Sequence, residues 1–231
     1  MRYFTSIFLI FISTFLAHSQ TYEVGAIIGG ANYIGDVGKT TYISPSTFGF
    51  GGIFKWNRSQ RHAFRGSIIF ANIEGDDAKS NESRRRERGY SFRNSITEFS
   101  IGLEYTFWEY NVYNGRPVST PYLYTGLTYF LYKASYIRPS TGEFKDYDQA
   151  GSVAIPIVIG YKGKISTNLA LAIEIGARYT FTDDLDGSNP VLGLEDSESL
   201  KFGNVNNNDW YVFTGVNINF TFGRKPCYCN F

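Results

Sequence analysis

Acidic and basic side chains are placed at even spacing within apolar stretches of this sequence. In "LALAIEIGARYTF" (169–181), Glu174 and Arg178 stand four residues apart. Charged groups in an apolar setting can transfer protons in catalysis, select ions in a pore, or pair and neutralise one another. The structural element that carries them decides among these uses.

Candidate catalytic and metal-binding groups are few. His62 lies beside a short turn at 57–61, and no sequence partner identifies it as a general base. The acidic segments "GDD" (75–77) and "TDDLDG" (182–187) offer the oxygen ligands that calcium takes, but they lack the spacing and terminal glutamate of a calcium loop. We therefore predict solvated loops at both segments, and a non-enzymatic protein with no cofactor, no metal site and no small-molecule substrate.

A run of arginines, "RRRER" (84–88), has two interpretations. It could contact the anionic headgroups of lipopolysaccharide, since basic clusters bind anionic membrane surfaces. The alternative is a charged, mobile loop, and this is the prediction that we adopt.

The charges follow a period of two, which is the period of a β-strand. In 169–181 the large apolar side chains share one parity, whereas Glu174, Arg178 and small residues share the other. The segments "TEFSIGLEYTFW" (97–108) and "WYVFTGVNINFTF" (210–222) repeat this pattern. Each segment therefore predicts a strand with one apolar face and one polar face.

Five further segments show weaker alternation, which gives eight predicted strands of about ten residues, the length that crosses a membrane when tilted. The strands are 22–32, 47–57, 62–72, 97–108, 121–132, 152–163, 169–181 and 210–222. Short connections at 57–61 and 163–168 and a moderate one at 109–121 alternate with long polar ones at 33–46, 73–92, 133–151 and 182–209. This order predicts an all-β fold, an eight-stranded antiparallel transmembrane β-barrel with short periplasmic turns and long extracellular loops.

The polar parity of such a barrel faces its lumen, which in an eight-stranded barrel is just wide enough for side chains to fill. Eight charged residues have this parity: Glu23, Lys55, Arg65, Glu98, Glu104, Lys162, Glu174 and Arg178. Because unpaired buried charges cost several kcal/mol each, we predict that these four acids and four bases pair and plug the lumen.

A soluble, lipocalin-like barrel would reverse the parity and hold a ligand inside. Its outer face would then be the polar one, yet glycine, alanine, serine and threonine fill most of that face. Aromatic residues at the strand ends also favour the membrane barrel, because rings gather at both membrane interfaces. They are Trp56, Trp108, Tyr161 and Phe222 at one end, and Tyr179, Phe181 and Trp210 at the other.

Targeting and composition agree with an exported protein. Residues 1–19 have the basic start, short apolar run and small residues of a cleaved signal peptide. Lysine and arginine total 22 against 21 acidic residues, so the chain has no bulk preference for nucleic acid. We predict a barrel over 20–223 and a periplasmic tail over 224–231, in the outer membrane of a Gram-negative bacterium with both termini periplasmic.

The tail carries the two cysteines of the chain, Cys227 and Cys229. A bridge between them would close a very small, strained ring. A disulfide to a periplasmic partner, an intrachain bridge and free thiols therefore remain open. The neighbouring bases Arg224 and Lys225 could steer an acidic partner or contact lipid headgroups.

Several segments resemble the PorG family of outer-membrane barrels: "VGAIIGGANYIGDVGKTTYISP" (24–45), "FRGSIIFANIEGDD" (64–77), "SFRNSITEFSIGLEY" (91–105) and "TPYLYTGLTYF" (120–130). The resemblance implies a component of the type IX secretion system, which exports proteins and supports gliding motility. It also implies an anchor for the periplasmic ring of a PorK-like lipoprotein and a PorN-like protein. The alternatives are a stand-alone structural or surface-binding barrel, a small-solute channel and a lipid-modifying enzyme.

Overall fold

Eight antiparallel strands form one closed barrel in the computed structural model, which describes residues 21–111, 118–138, 140–194, 196–204 and 207–223. Each strand pairs with its neighbours in sequence, and β1 pairs with β8 from Thr21↔Gly223 to Ile34↔Trp210. The prediction of an all-β, eight-stranded antiparallel barrel is confirmed. Within the described ranges, no helix is long and apolar enough to cross a bilayer.

Most strands extend beyond their predicted ends. Their bounds are β1 Thr21–Ile34, β2 Thr47–Asn57, β3 His62–Asp76, β4 Ser91–Thr106, β5 Ser119–Arg138, β6 Glu143–Lys164, β7 Leu169–Thr180 and β8 Trp210–Gly223. We call the end with the connections 58–61, 107–118 and 165–168 the short-turn end, and the opposite end the long-loop end. Thr21 and Gly223 lie at the short-turn end.

The two faces of the wall differ as the period of two predicts. Ile101, Ile159 and Ile173 are exposed on the outside, whereas their sequence neighbours on the inside are buried or partly buried. β-branched and aromatic side chains suit this surface because they pack well on a pleated sheet. The outside of the barrel is therefore an apolar band, and the inside carries the polar side chains.

The predicted long loop at 133–151 is wrong. Strands β5 and β6 instead continue as a hairpin to the pair Arg138↔Glu143, with a register shift between Ala134 and Ser135. Continued pairing satisfies backbone N–H and C=O groups that a loop would leave to water. Ala134 and Ile137 are buried in this projection, but polar residues surround them and the register shift breaks the period of two. Its sequence therefore lacks the regular apolar alternation that marks the other strands.

The predicted mobile loop around 84–88 is also corrected, because this segment is helical. Helix α1, Ser83–Arg88, ends at Gly89, which takes a left-handed φ of 69°. Arg88 donates to the Asp77 carboxylate at 2.8 and 3.1 Å and to the Asp36 carbonyl at 2.7 Å. These contacts attach the helix to the first long loop.

The connection 181–209 enters the mouth of the barrel, which corrects the prediction of a solvated segment at 182–187. Leu185 is completely buried, as are Asp186 and Ser188. Its backbone is held from two sides: Asn94 donates to the Leu185 carbonyl at 3.0 Å, and Leu185 N–H donates to Asp209 at 3.0 Å. Sequence polarity concealed this packing, because one leucine among aspartates does not indicate a plug.

Candidate functional site

All eight predicted lumen charges lie inside the barrel, and none is more than 3% exposed. Six strands contribute them, each from its inward-facing parity. They are Glu23 on β1, Lys55 on β2, Arg65 on β3, Glu98 and Glu104 on β4, Lys162 on β6, and Glu174 and Arg178 on β7. We call this set the lumen charge network.

The first unit of the network joins Arg65 and Glu174 across the lumen. Arg65 Nη1 and Nη2 donate to the two Glu174 oxygens at 2.8 and 2.7 Å. Tyr122 and Asn217 also donate to this carboxylate, at 2.5 and 3.1 Å. Four hydrogen bonds replace the water that the carboxylate loses on burial, which is the condition for a buried ion pair to be tolerated.

A second unit places one carboxylate between several cations. Both Lys55 Nζ and Lys162 Nζ lie 2.7 Å from Glu104 oxygens, and Arg65 Nη1 lies 3.8 Å away. The Lys162 ammonium also lies over the Tyr110 ring at 4.5 Å. Because Arg65 contacts both Glu104 and Glu174, the two units form one connected network.

The third unit lies nearer the long-loop end. Arg178 donates to both oxygens of Glu98 at 3.0 and 3.1 Å, and Tyr211 donates to the same carboxylate at 2.9 Å. Arg178 Nη1 also donates to the Gly176 carbonyl at 2.6 Å. The guanidinium is therefore fixed on two sides.

Glu23 differs from the expectation that each acid meets a base. It accepts a hydrogen bond from the Asn57 amide at 2.8 Å. Its cross-strand neighbour Lys55 directs its ammonium to Glu104 instead. Lys55 on β2 extends past β3 to Glu104 on β4, a carboxylate that Lys162 also contacts.

Three tyrosines that were not among the predicted site residues complete the network. Tyr122, Tyr124 and Tyr211 are buried among the charges, and the Arg65 guanidinium lies 4.7 Å from the centre of the Tyr124 ring. Their inward parity was the available signal, since all three share the polar face of their strands. Charges and rings together fill the lumen, so this arrangement neutralises charge and rigidifies the barrel.

His62 lies outside the network, exposed at the short-turn end. Its Nδ1 is 3.2 Å from Ser59 Oγ, a pairing that resembles part of a nucleophile–base arrangement. However, Ser59 Oγ also accepts the backbone N–H groups of Arg61 and His62, at 3.2 and 3.0 Å. The serine thereby closes the turn between β2 and β3, which is a structural role.

The acidic segments show no metal-binding geometry in the part of the chain that the structure describes. There, no three His, Cys, Asp or Glu side chains are grouped to hold an ion. Asp77 is buried and engaged by Arg88, by Gly38 N–H at 2.8 Å and by Tyr90 N–H at 3.1 Å. This carboxylate ties together the first two long loops.

The aromatic residues at the strand ends point outward as two partial belts. Trp108, Tyr161 and Phe222 are exposed near the short-turn end, and Trp56 is partly exposed there. At the long-loop end, the rings of Tyr179 and Trp210 meet edge to face with centroids 4.8 Å apart, and Phe181 packs on Tyr179 at 5.4 Å. The predicted tail residues Arg224, Lys225, Cys227 and Cys229, and the predicted signal peptide at 1–19, lie outside the described residues.

Comparison with known proteins identifies a family. The family model described as "Domain of unknown function (DUF6089)" matches residues 1–231. No curated protein matches the sequence.

Solved structures that resemble the chain include three outer-membrane barrels. A major outer membrane protein from Thermus thermophilus has 15% identity and a TM-score of 0.49, covering 89% of this chain and 100% of that one. The N-terminal β-barrel domain of Pseudomonas aeruginosa OprF has 13% identity and a TM-score of 0.44, with coverages of 89% and 98%. Outer Membrane Protein W of E. coli has 13% identity and a TM-score of 0.40, with coverages of 89% and 100%.

Proposed function

The chain belongs to the family described as "Domain of unknown function (DUF6089)", and we propose that it is a non-enzymatic outer-membrane barrel that anchors a periplasmic assembly. The observation that carries this proposal is the combination of an apolar outer band with a filled, charge-paired lumen. The band suits insertion in lipid, and the filled lumen suits a rigid support. The chain then contributes position and stability at the membrane.

The orientation follows from the lengths of the connections. Outer-membrane barrels have short periplasmic turns and longer extracellular loops. We therefore place the short-turn end, with residues 58–61 and 165–168, in the periplasm. Since Thr21 and Gly223 lie at this end, the tail at 224–231 also starts there.

We propose that the anchored assembly is the ring of the type IX secretion system, built from a PorK-like lipoprotein and a PorN-like protein. The support is the resemblance of residues 24–45 and the further segments to the PorG family. The contact surface would comprise the three short turns and the tail, in which Arg224 and Lys225 supply positive charge and Cys227 or Cys229 a linking thiol. In this role the chain takes part in protein secretion and gliding motility, with outer-membrane lipid as its other partner.

Two rival functions fit the structure poorly. A small-solute channel needs a water-filled path, whereas Arg65, Glu174, Tyr122 and Tyr124 occupy the interior. A lipid-modifying enzyme needs a base and nucleophile directed at a substrate, whereas Ser59 is engaged in closing a turn. A stand-alone surface-binding barrel is favoured by one observation, a polar pocket at the long-loop end.

Affinity isolation from detergent-solubilised outer membranes tests the anchoring role. The tagged protein is purified without reductant, alongside a variant in which Cys227 and Cys229 are both replaced by serine. Recovery of PorK-like and PorN-like proteins is expected, and a high-mass band lost in the double variant would place the link at the tail. A barrel recovered alone from both samples would refute the anchoring role.

A further inference from the structure

A cavity of about 450 Å³ opens beside the barrel seam at the long-loop end. It lies where the end of β1, the first long loop, helix α1 and the residues before β8 come together. Seven of its lining residues carry polar groups or rings: Asp36, Thr40, Tyr42, Arg85, Asn204, Asn207 and Trp210. The volume falls within the range of about 300–1,000 Å³ that is common for small-molecule sites.

The walls of this pocket are held in place by hydrogen bonds between segments distant in sequence. Arg85 Nη1 donates to the carbonyls of Gly35 and Gly38 at 2.9 and 3.1 Å. Asp36 Oδ2 accepts the N–H of Asn204 at 3.0 Å. A pocket fixed before binding loses less conformational entropy when a ligand enters.

Gly203 shows how closely the last loop fits against Asp36. It has a left-handed φ of 81°, and an added Cβ would lie 2.3 Å from Asp36 Oδ2 and 2.4 Å from Asp36 Cγ. Only glycine accommodates both the conformation and the contact. The side of the pocket that carries Asn204 therefore depends on this residue.

The chemistry of the lining excludes two ligand classes. A divalent cation takes several oxygen ligands, mainly carboxylates, but among the described lining residues Asp36 is the one carboxylate and Arg85 is nearby. A phosphate or sulfate is favoured by several free cationic donors, whereas the Arg85 Nη1 already serves two carbonyls and Asp36 would repel an anion. The remaining set is an acceptor, several donors and two rings.

We infer that this pocket binds a neutral saccharide ring. Sugar hydroxyls both donate and accept hydrogen bonds, which matches the Asp36 carboxylate, the Thr40 hydroxyl and the Asn207 amide of the lining. The C–H face of a sugar ring carries partial positive charge, and aromatic faces carry partial negative charge. Tyr42, which is 74% exposed, and Trp210 supply such faces.

The position of Trp210 favours a sugar attached to the outer leaflet. Its ring packs on Tyr179 within the aromatic belt of the long-loop end. Such belts lie at headgroup level in membrane barrels. The pocket therefore opens where the neutral hexoses of the lipopolysaccharide core would lie. This inference rests on the proposed orientation of the barrel, but it concerns the end opposite the proposed anchoring surface and does not require a ring partner.

Isothermal titration of the full-length protein in detergent tests the saccharide site. The probes are intact lipopolysaccharide from the producing cells, the deacylated core oligosaccharide prepared from it, and maltotriose as a free neutral sugar. The test variants are Tyr42→Ala and Gly203→Ala. Ile43→Ala is the matched control, because Ile43 is an exposed neighbour outside the pocket lining. A heat-dependent shift in electrophoretic mobility verifies that each variant is folded.

Binding of the core oligosaccharide, weakened roughly tenfold by Tyr42→Ala and unchanged by Ile43→Ala, is the expected result. Binding of maltotriose in place of the core oligosaccharide, with the same response to the variants, would support the sugar site and assign it to free glycans. Two results would overturn the inference. One is no binding of either sugar, and the other is binding of lipopolysaccharide that Tyr42→Ala and Gly203→Ala leave unchanged.

Discussion

Arg65 on β3 donates from both terminal nitrogens to the two carboxylate oxygens of Glu174 on β7, at 2.8 and 2.7 Å. The two residues are 109 positions apart in sequence and meet in the middle of the barrel interior. This pair links opposite walls directly. The pair therefore stabilises the barrel from inside, as a hydrophobic core stabilises a soluble domain.

Replacing Glu174 with glutamine tests the energetic role of this pair. The amide keeps the shape but removes the carboxylate charge that accepts both Arg65 hydrogen bonds, and Glu104 is farther away, at 3.8 Å. Removing one partner of a buried ion pair costs roughly 3–5 kcal/mol, so we expect a loss of that order in the free energy of unfolding. Urea titration of the folded protein in detergent or lipid measures it.

The control for this substitution is Glu198→Gln. Glu198 pairs with Lys201 at 2.7 Å, but its side chain is 80% exposed. Exposed pairs contribute little, so this variant should unfold at nearly the same urea concentration as the wild type. Equal effects of the two substitutions would contradict a structural role for the lumen charge network.

The filled lumen predicts that the reconstituted protein does not conduct ions. Charged side chains from six strands, and aromatic side chains from β5 and β8, occupy the space that a channel would leave for water. Recordings across a planar bilayer should show no stable conductance steps. Reproducible steps that scale with salt concentration would mean that the interior opens.

The outer apolar band predicts that a charged substitution lowers the free energy of unfolding by an amount that depends on its depth in the membrane. Ile173, near the middle of β7, and Ile165, in a short turn, are 57% and 60% exposed. Lysine at the centre of a lipid-facing strand costs about 2–4 kcal/mol, and near an interface about 0–1 kcal/mol. In lipid vesicles, Ile173→Lys should therefore lower the free energy of unfolding far more than Ile165→Lys. Similar costs at both positions would indicate that water surrounds the barrel.

The segment 182–188, which fills the barrel mouth and is called the plug below, should be more stably packed at acid pH than at alkaline pH. Burial, together with the neighbouring carboxylates of Asp36 and Asp186, raises the pKa of Asp183 to about 7. The ordinary pKa of an aspartate is near 4, so the folded plug binds more protons than the unfolded one between about pH 4 and 7. The stabilisation is complete below about pH 4 and is lost as the pH rises through about 7.

Hydrogen exchange of the backbone amides at 182–188, corrected for the intrinsic effect of pH, measures this change. Protection should be greater at pH 5 than at pH 8, and Asp183→Asn should remove part of the difference. Asp148→Asn, which alters an exposed carboxylate on the β5–β6 hairpin, should leave it intact. Greater protection at pH 8 than at pH 5 would contradict the predicted direction of the pH dependence.

The strands and the inward charges could be predicted from sequence because both depend on local parity. Glu174 and Arg178 share a parity opposite to Leu171 and Ile173, so their side of the wall follows from a period of two. Which acid meets which base could not be predicted. The pairing of Arg65 with Glu174 depends on barrel closure and on side-chain reach across the lumen.

The long-loop end was predicted least well, because its structure depends on contacts between distant segments. Leu185 is buried in the barrel mouth, where Asn94 and Asp209 bind its backbone by hydrogen bonds. The polar residues around it indicate a solvated loop when taken alone. The β5–β6 hairpin was missed for a related reason, since polar residues are frequent in it and a register shift between Ala134 and Ser135 breaks the period of two.

Crosslinking from single sites tests the proposed anchoring most directly. A photoreactive amino acid is placed at Arg58 or Thr167 at the short-turn end, and at Ser140 at the long-loop end as the control; all three are exposed. Irradiation of intact cells followed by mass spectrometry identifies the partners. Anchoring predicts links to PorK-like or PorN-like proteins from Arg58 or Thr167 and none from Ser140. Links to these proteins from Ser140 alone, or from none of the three sites, would contradict it.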